Sequence, residues 1–551
     1  MTTGFTFAPT NRIVRSAAVV QSLFAVLVIV LAACTTLPPG SDYPKTPSTA
    51  FAQPSTTRLG KQLAKESVRH SGQSGFRILP YGVEGLLLRT QLVRAAERTL
   101  DIQYYIFAED DTGKLLQQSV LDAADRGVRI RLLIDDQNSF QRHEAPEIIS
   151  ALNDHANIEL RLFNPFVYRG QFPLLRYLDM AVNAQRINHR MHNKLLVADN
   201  AIAIVGGRNV GDEYFDAGTP PVRFGDFDVA VVGPAVPQLS ASFDEFWNNS
   251  LSIPQKAVAP VAPLAASLPE ARAELATHRA GINAPEIEQR LNKGDPLNGL
   301  LDGRLSFVWA NAAVIADHPE KAEVPPGEPV RSPVVRQLVQ EMRNVNSEVA
   351  IVTPYFVPGE RAMARIKELR QRNVRVRVLT NSLSSTDFPI VHSAYRRYRT
   401  PLLEAGVELS EIRAASDGAP MGSSPQGSGA SGKSGDAPFA LHAKLYVFDR
   451  QRVFIGSANF DRRSFKLNTE LGLMIESREL AGQIVAQFEQ FAASPNSYRL
   501  ILEPGGPKGE RIRWRTQLDG KSVDLDDDPD TTAWRRFEVA MYSMLPIDEL
   551  L

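Results

Sequence analysis

The sequence predicts an α/β fold of two similar domains in pseudo-two-fold arrangement, with a single composite active site between them. Two observations carry this. The phrase His-x-Lys-x₄-Asp occurs twice, at His192, Lys194 and Asp199 and again at His442, Lys444 and Asp449, a displacement of 250 residues. The flanking pattern repeats as well: Leu100 to Phe107 followed by Arg126 to Ile134 is echoed by Val349 to Phe356 followed by Arg372 to Thr380, displaced by 246 to 249 residues. An internal duplication that brings two half-sites together is the economical explanation.

The elements follow in order. In each half an apolar run reads as a strand, then Gly113 to Arg126, or Gly359 to Arg372, reads as a crossover helix, and a second strand, a second helix and a third strand follow. The motif comes next. In His-x-Lys the two side chains lie two residues apart, so on a strand imidazole and ammonium share a face and address one bound group together. Leu195 to Ala198 and Leu445 to Phe448 have the bias of buried strands, and Ile202 to Val205 and Val453 to Ile455 supply hairpin partners. After six intervening residues each motif Asp is followed by a glycine-rich step ending in Asn: Gly206, Gly207, Arg208, Asn209 in the first half and Gly456, Ser457, Ala458, Asn459 in the second.

These motifs resemble the phospholipase D superfamily, whose members carry two HxKx₄D motifs. Within it the chain is most similar to the C-type branch of bacterial cardiolipin synthases, through Leu100–Ile106, Arg161–Phe166, Arg190–Lys194, Asn381–Leu383, Gly456–Asp461 and Asn468–Glu470. The resemblance spans residues 75 to 551, leaving out the N-terminal export segment and a Gly/Ser-rich insert. It implies two phospholipase D-like domains and a transferase that makes cardiolipin from phospholipids through a phosphohistidine. Phosphatidylglycerol is the implied acceptor and phosphatidylethanolamine a candidate donor. One histidine attacks phosphorus while the other protonates the leaving oxygen, and the roles reverse when the acceptor arrives. His192 is assigned as nucleophile and His442 as acid.

The chemistry fits these residue types. A phosphodiester needs a nucleophile, a proton donor and positive charge around its non-bridging oxygens. Lys194, Lys444, Asn209, Asn459 and the Ser457 hydroxyl are expected to hold the phosphoryl oxygens, with Gly206, Gly207 and Gly456 permitting close approach. A nucleophilic imidazole also needs its second nitrogen fixed by a carboxylate. Glu470, before the run Leu471 to Ile475, and Asp226 or Asp228, before Val229 to Val232, are the candidates, with Glu470 and Asp228 read as equivalent in register. Asp199 and Asp449 belong to the catalytic motifs but lie on the opposite strand face near a turn, so they are expected to be structural anchors. The lysines supply the charge that metallo-enzymes take from cations, and no His/Cys cluster accompanies the motifs, so no metal and no cofactor is expected.

With 61 basic and 62 acidic residues the net charge is −1, which gives no global footprint for nucleic acid. Phospholipids and a membrane surface are the expected partners, and one chain suffices for a complete active site. Arg12 and Arg15, an apolar run from Ala17 to Val30, and Leu31-Ala-Ala-Cys34 read as a secretory signal ending in a lipobox. Cys34 is the only cysteine and is the expected lipidation site; Thr35 after it favours an outer-membrane lipoprotein facing the periplasm. The expected divisions are a leader over 1–34, a tether over 35–75, a first half over 76–256, an Ala/Pro-rich linker over 257–292, a second half over 293–511 containing the insert 416–436, and an extension over 512–551. Two apolar-basic segments, Phe163 to Leu178 and Trp534 to Leu551, suit either a lipid surface or core packing. Hydrolysis by a phospholipase D, an exported nuclease of the same superfamily, and a non-catalytic phospholipid-binding envelope lipoprotein are the alternatives.

Overall fold

A computed structural model describes residues 40–137, 147–168, 172–258, 266–281, 295–325, 327–414, 437–505 and 510–545. The leader with Cys34 and the insert 416–436 lie outside them. In the first half the strands are β1 (Ser74–Leu79), β2 (Thr99–Tyr104), β3 (Arg129–Asp135), β4 (Ile158–Phe163), β5 (Leu195–Ala198), β6 (Ile202–Gly206), β7 (Arg223–Gly225), β8 (Asp228–Val232) and β9 (Ser252–Pro254). The second half adds β10 (Val308–Ala316), β11 (Glu348–Val352), β12 (Arg375–Asn381), β13 (Glu408–Ile412), β14 (Phe439–Leu441), β15 (Leu445–Phe448), β16 (Arg452–Gly456), β17 (Leu471–Glu476) and β18 (Ser497–Pro504). β19 (Glu510–Leu518) and β20 (Lys521–Leu525) follow.

Read outward from the centre, the sheet runs β1-β8-β6-β5-β2-β3-β4-β9 on one side. On the other it runs β10-β17-β16-β15-β11-β12-β13-β18, with β19 and β20 beyond. The two lists match strand for strand. At the junction the equivalent strands β1 and β10 pair antiparallel, Gly75 opposite Trp309, as a two-fold relation between them requires. Within each half three strands are parallel, which demands crossovers, and helices Asp111–Asp125 and Gly359–Gln371 provide the first of these.

Each half has its own apolar cluster on one face, and the opposite faces of both halves share a third. That shared core takes Phe243, Phe246 and Trp247 from helix Ala235–Asn248 and Ile484, Val485 and Phe488 from helix Arg478–Ala492. Each such side chain contributes about 1.5–3 kcal/mol on full burial, so the halves are joined by their interior as well as by the β1–β10 pair.

The motif hairpins turn at Asp199-Asn200 and Asp449-Arg450, all four with φ between 50 and 53°, closed by Ala201 N–H to Ala198 O at 2.9 Å and Gln451 N–H to Phe448 O at 3.0 Å. Two successive left-handed residues make a turn whose twist matches the strands it joins. The Asp199 carboxylate accepts the backbone N–H groups of Glu97, Arg98 and Thr99, and Asp449 accepts those of Asn346, Ser347 and Glu348. Each motif aspartate therefore ties its hairpin to the start of the first parallel strand.

Residues 35–39 of the expected tether lie outside the described residues, and those after them pack on the first half. From Lys45 to Phe51 the chain lies along the first half as an extended arm. Lys45 Nζ donates to Asn249 O at 2.7 Å, and Arg161 Nη2 reaches Thr46 O at 2.9 Å. Arg131 Nη1 reaches Ser48 O and Asn200 Nδ2 reaches Phe51 O, both at 2.9 Å. Helix Arg58–Arg69 and β1 follow. The arm is held because Arg131 and Arg161 are buried and need acceptors, which its carbonyls supply. The linker contains helix Leu268–Gly281, packed on helix Asp111–Asp125 through Ala271, Leu275 and the Arg272–Asp125 pair at 2.7 Å. The extension begins inside β19, where buried Trp514 donates to Glu411 Oε2 at 3.0 Å.

Asp199→Ala leaves three N–H groups of a fully buried carboxylate's site without an acceptor. It should cost about 3 kcal/mol, read as a lower urea midpoint at unchanged slope. Asp449→Ala, at a more exposed site, should cost less; activity lost from either at undiminished stability would contradict the anchoring role.

Candidate active site

The site is assembled by backbone contacts between the halves. β7 and β14 form a two-stranded parallel sheet across the interface, with Gly225 opposite Leu441, and His442 N–H donates to Gly225 O at 2.8 Å. This sets Asp226, the next residue after β7, beside His442. The other side is built alike: Met191 bridges Thr469, His192 N–H donates to Thr469 O at 3.0 Å, and Glu470 follows. The residue before each histidine is fixed from the end of the second parallel strand, Met191 N–H by Asp135 Oδ2 at 2.7 Å and Leu441 N–H by Asn381 Oδ1 at 2.8 Å.

The carboxylates therefore cross over. His192 Nδ1 is 2.9 Å from Glu470 Oε2, and His442 Nδ1 is 2.6 Å from Asp226 Oδ2. Each histidine is oriented from the opposite half. Lys194 Nζ donates to His192 O at 2.7 Å and lies 5.2 Å above the Tyr105 ring, while Lys444 Nζ donates to His442 O. Lys444 Nζ is also 2.8 Å from His442 Nδ1. That nitrogen cannot both donate to Asp226 and accept from Lys444; facing an ionised aspartate it carries the proton, and the lysine's bond is to the carbonyl.

Burial and mutual repulsion set the protonation states. Burial, then Lys444, pushes His442 down to about 3, and burial with Lys194 and Lys444 holds His192 well below the usual imidazole range. Burial followed by the charge of Lys444 lowers Lys194 strongly, and Lys444 falls to about 8, chiefly through burial. Burial alone would raise Asp226, but Lys444 and the His442 hydrogen bond bring it to about 2; Glu470 is pushed up to about 7 by burial, against the pull of Lys194. The site thus presents neutral imidazoles beside two buried lysines whose charged form an anion would favour.

Strand pairing equates Asp226, not Asp228, with Glu470, because Gly206 lies opposite Asp228 where Gly456 lies opposite Gly472. The expected register was two residues out. Asp228 reaches no histidine: its carboxylate takes buried Arg89 at 2.9 Å and buried Arg208 at 3.2 Å. The glycine roles change too. A Cβ on Gly207 would meet Asp226 Oδ1 at 2.2 Å, and one on Gly206 or Gly456 would strike the neighbouring strand at 2.4 or 2.3 Å, so these glycines admit protein groups. The Ser457 hydroxyl donates to Glu470 Oε2, and Asn209 is engaged by Ile106 N–H at 3.2 Å and the Tyr214 hydroxyl at 2.9 Å. Asn459 Oδ1 is buried without a hydrogen-bond partner. Among the described residues no cluster of His, Cys, Asp or Glu could hold a metal ion.

Several side chains at the site had not been singled out. Tyr105 packs edge-on to His192 at 5.1 Å, and Tyr214 and Phe224 pack on His442 at 5.2 and 5.0 Å. Tyr355, displaced from Tyr105 by the same 250 residues as the motifs, donates to Asp387 Oδ2 at 2.9 Å. That displacement was the available signal. His392 belongs to a buried cluster with Arg399, 3.0 Å away, and Asp528.

A duplicated α/β fold that closes two His-x-Lys pairs into one site defines a phospholipase D-type enzyme. The comparisons are more specific: the family described as cardiolipin synthase, PLD-like domain, matches residues 89–247 and 338–492, and the chain belongs to that family. It is 36% identical to cardiolipin synthase C of Escherichia coli, over 90% of this chain and all of that one. It is 31% identical to an uncharacterised protein of Helicobacter pylori, over 90% of this chain and 93% of that one. Among solved structures, phosphatidylserine synthase of Haemophilus influenzae shares the fold with a TM-score of 0.51 at 14% identity, over 80% of this chain and 92% of that one.

Asp226→Asn should leave the fold intact and lower turnover on the order of 10⁴-fold, since an amide behind the imidazole favours the wrong tautomer. Asp228→Asn should instead leave Arg89 and Arg208 short of a buried counter-charge and cost about 3–5 kcal/mol. Thermal melts beside rates separate the two; the same profile for both would refute the division of roles.

Proposed function

We propose that the chain transfers a phosphatidyl group from one phospholipid to a hydroxyl of another, making cardiolipin through a phosphohistidine. The observation that carries this is the crossed pair of carboxylate-held imidazoles flanked by two buried lysines. The phosphate of a bound lipid supplies the anion that the lysines lack, and its charge raises the depressed imidazoles toward protonation. Ionised Asp226 stabilises an imidazolium at His442, which supports His442 as acid and His192 as nucleophile.

In the first step His192 Nε2 attacks phosphorus, the P–O bond to the departing alcohol breaks, and His442 delivers a proton to that oxygen. Neutral His442 then takes the proton of the acceptor hydroxyl. Its oxygen attacks phosphorus, the P–N bond breaks, and His192 is regenerated. Water in place of the acceptor gives hydrolysis. The 36% identity that runs the whole length of a cardiolipin synthase supports a lipid acceptor.

The reading includes an envelope lipoprotein, lipidated at Cys34, in the outer membrane facing the periplasm. No helix among the described residues is long and apolar enough to cross a membrane. Five residues separate Cys34 from Gly40, which already packs on Ala257 and Ile253, a reach of at most about 22 Å.

With mixed phosphatidylglycerol and phosphatidylethanolamine vesicles the wild type should form cardiolipin, and His192→Ala or His442→Ala should each abolish it, the double variant being scarcely worse. Phospholipid labelled with ³²P should leave acid-labile, base-stable label on His192. Release of phosphatidic acid alone would replace transfer by hydrolysis, and substantial activity in either single variant would remove the covalent cycle.

In cells, labelled palmitate should appear on the wild type and be absent from Cys34→Ser. An unlabelled wild type with its first 34 residues retained would replace the lipoprotein by an uncleaved anchor.

A further inference from the structure

Seventeen large apolar side chains are exposed among the described residues, and thirteen of them fall in two places. Seven lie between Val167 and Val182, and six are Phe388, Trp534, Phe537, Met541, Met544 and Leu545. Scattered surface leucines need no explanation; this concentration does.

Both helices turn most of their large apolar side chains outward, where ordinary surface helices turn them inward. On helix Pro173–Val182 the outer face carries Leu174, Leu178 and Val182 at four-residue spacing, joined by Leu175 and Tyr177. The inward position belongs to Asp179, buried and accepting Tyr168 N–H at 2.9 Å and Asn183 Nδ2–H at 2.6 Å. On helix Ala533–Tyr542 Trp534, Phe537 and Met541 share the outer face, 71, 55 and 48% exposed, while Val539 turns in.

The two patches flank the catalytic cleft. The first helix follows the C-terminal end of β4, parallel to β2, whose own C-terminal end leads into Tyr105 beside His192. The second is pinned by Arg535 Nη2 to Thr386 O at 2.9 Å, one residue from Asp387, which holds Tyr355 and feels the charge of Lys444. Thr386 to Phe388 likewise follow the C-terminal end of β12, parallel to β11, which leads into Tyr355. One patch therefore borders the His192 side of the mouth and the other the Lys444 side.

We infer that these two helices form a bilayer-docking face, entering the headgroup and upper acyl region of an anionic phospholipid surface so that the cleft opens onto it. Charge supports this occupant: in the sequence Arg169 and Arg176 interleave with the first apolar set, and Arg535 and Arg536 with the second. Tyrosine and tryptophan at the edges are the side chains that settle at such interfaces, and apolar faces of this kind bind in the plane of the membrane without crossing it. The choice of a lipid surface rests on the proposed phospholipid chemistry.

Trp534 is a built-in reporter. Of the four tryptophans, Trp247 and Trp514 are buried and Trp309 is partly buried, so Trp534 alone is broadly exposed. With the full chain on phosphatidylglycerol vesicles bearing brominated acyl chains, Trp534 emission should shift to the blue and be quenched, and Trp534→Phe should remove that signal. Leu174→Glu with Leu178→Glu should lower turnover on vesicles at least tenfold and leave turnover of a monomeric short-chain phospholipid unchanged. Unquenched Trp534 in a chain that sediments with the vesicles overturns the docking face. Conversion of a dimer to a monomer by the Leu174/Leu178 variant, with vesicle turnover intact, overturns it in favour of a second copy of the chain. Quenching is read without turnover: quenching in a chain that converts no phospholipid supports the face and sinks the catalytic reading. Turnover of monomeric lipid without quenching does the reverse.

Discussion

Neither histidine is oriented by its own half of the chain. Glu470 belongs to the second repeat and holds His192 of the first; Asp226 belongs to the first and holds His442 of the second. An imidazole left without its carboxylate has no fixed tautomer, and either half-chain alone would present one such group. The duplication is thus more than two copies of a motif side by side. The β7–β14 pair and the Met191–Thr469 bridge exist at the interface because each half must present a carboxylate to the other's histidine.

This crossing also organises the charge. Two lysines, two imidazoles and two carboxylates share a largely buried space, where like charges interact strongly. Burial lowers both lysines and the charge of Lys444 lowers Lys194 further, while Asp226 and Glu470 pull both back up. Asp226 at about 2 and Glu470 at about 7 divide the pair into a firmly ionised member and one poised near neutrality. Two similar half-sites thereby acquire different proton affinities without any difference in the motif itself, the asymmetry that acid and nucleophile need.

Much of the arrangement was legible because the repeats keep their spacing. The motifs and Tyr105/Tyr355 are displaced by 250 residues, and the two hairpins could be placed from their apolar runs alone. The register failed where spacing changes: from Gly206 to Asp226 the chain takes twenty residues, from Gly456 to Glu470 fourteen. Asp226 and Asp228 share a strand face, so a period of two cannot choose between them; only the pairing of β6 with β8 does. The arm from Lys45 to Phe51 was illegible for another reason. It is held by its backbone carbonyls, which every sequence has, and the clue lay elsewhere, in Arg131 and Arg161 within otherwise apolar strands.

The one visible difference between the motifs, Gly207 against Ser457, follows from the carboxylates. Aspartate is a methylene shorter than glutamate, and Asp226 lies so close to residue 207 that a Cβ there would fall 2.2 Å from its oxygen. Glu470 stands further from its strand and leaves room for Ser457, whose hydroxyl then donates to it. Gly–Asp and Ser–Glu are two solutions to one packing requirement. The missing hydroxyl in the first half is compensated by the approach it permits, and the Arg208 that follows is spent on Asp228, the Leu79 carbonyl at 2.9 Å and the Pro80 carbonyl at 2.7 Å. The first half-site is therefore whole, and the two halves differ because each was fitted to the length of the side chain that crosses into the other.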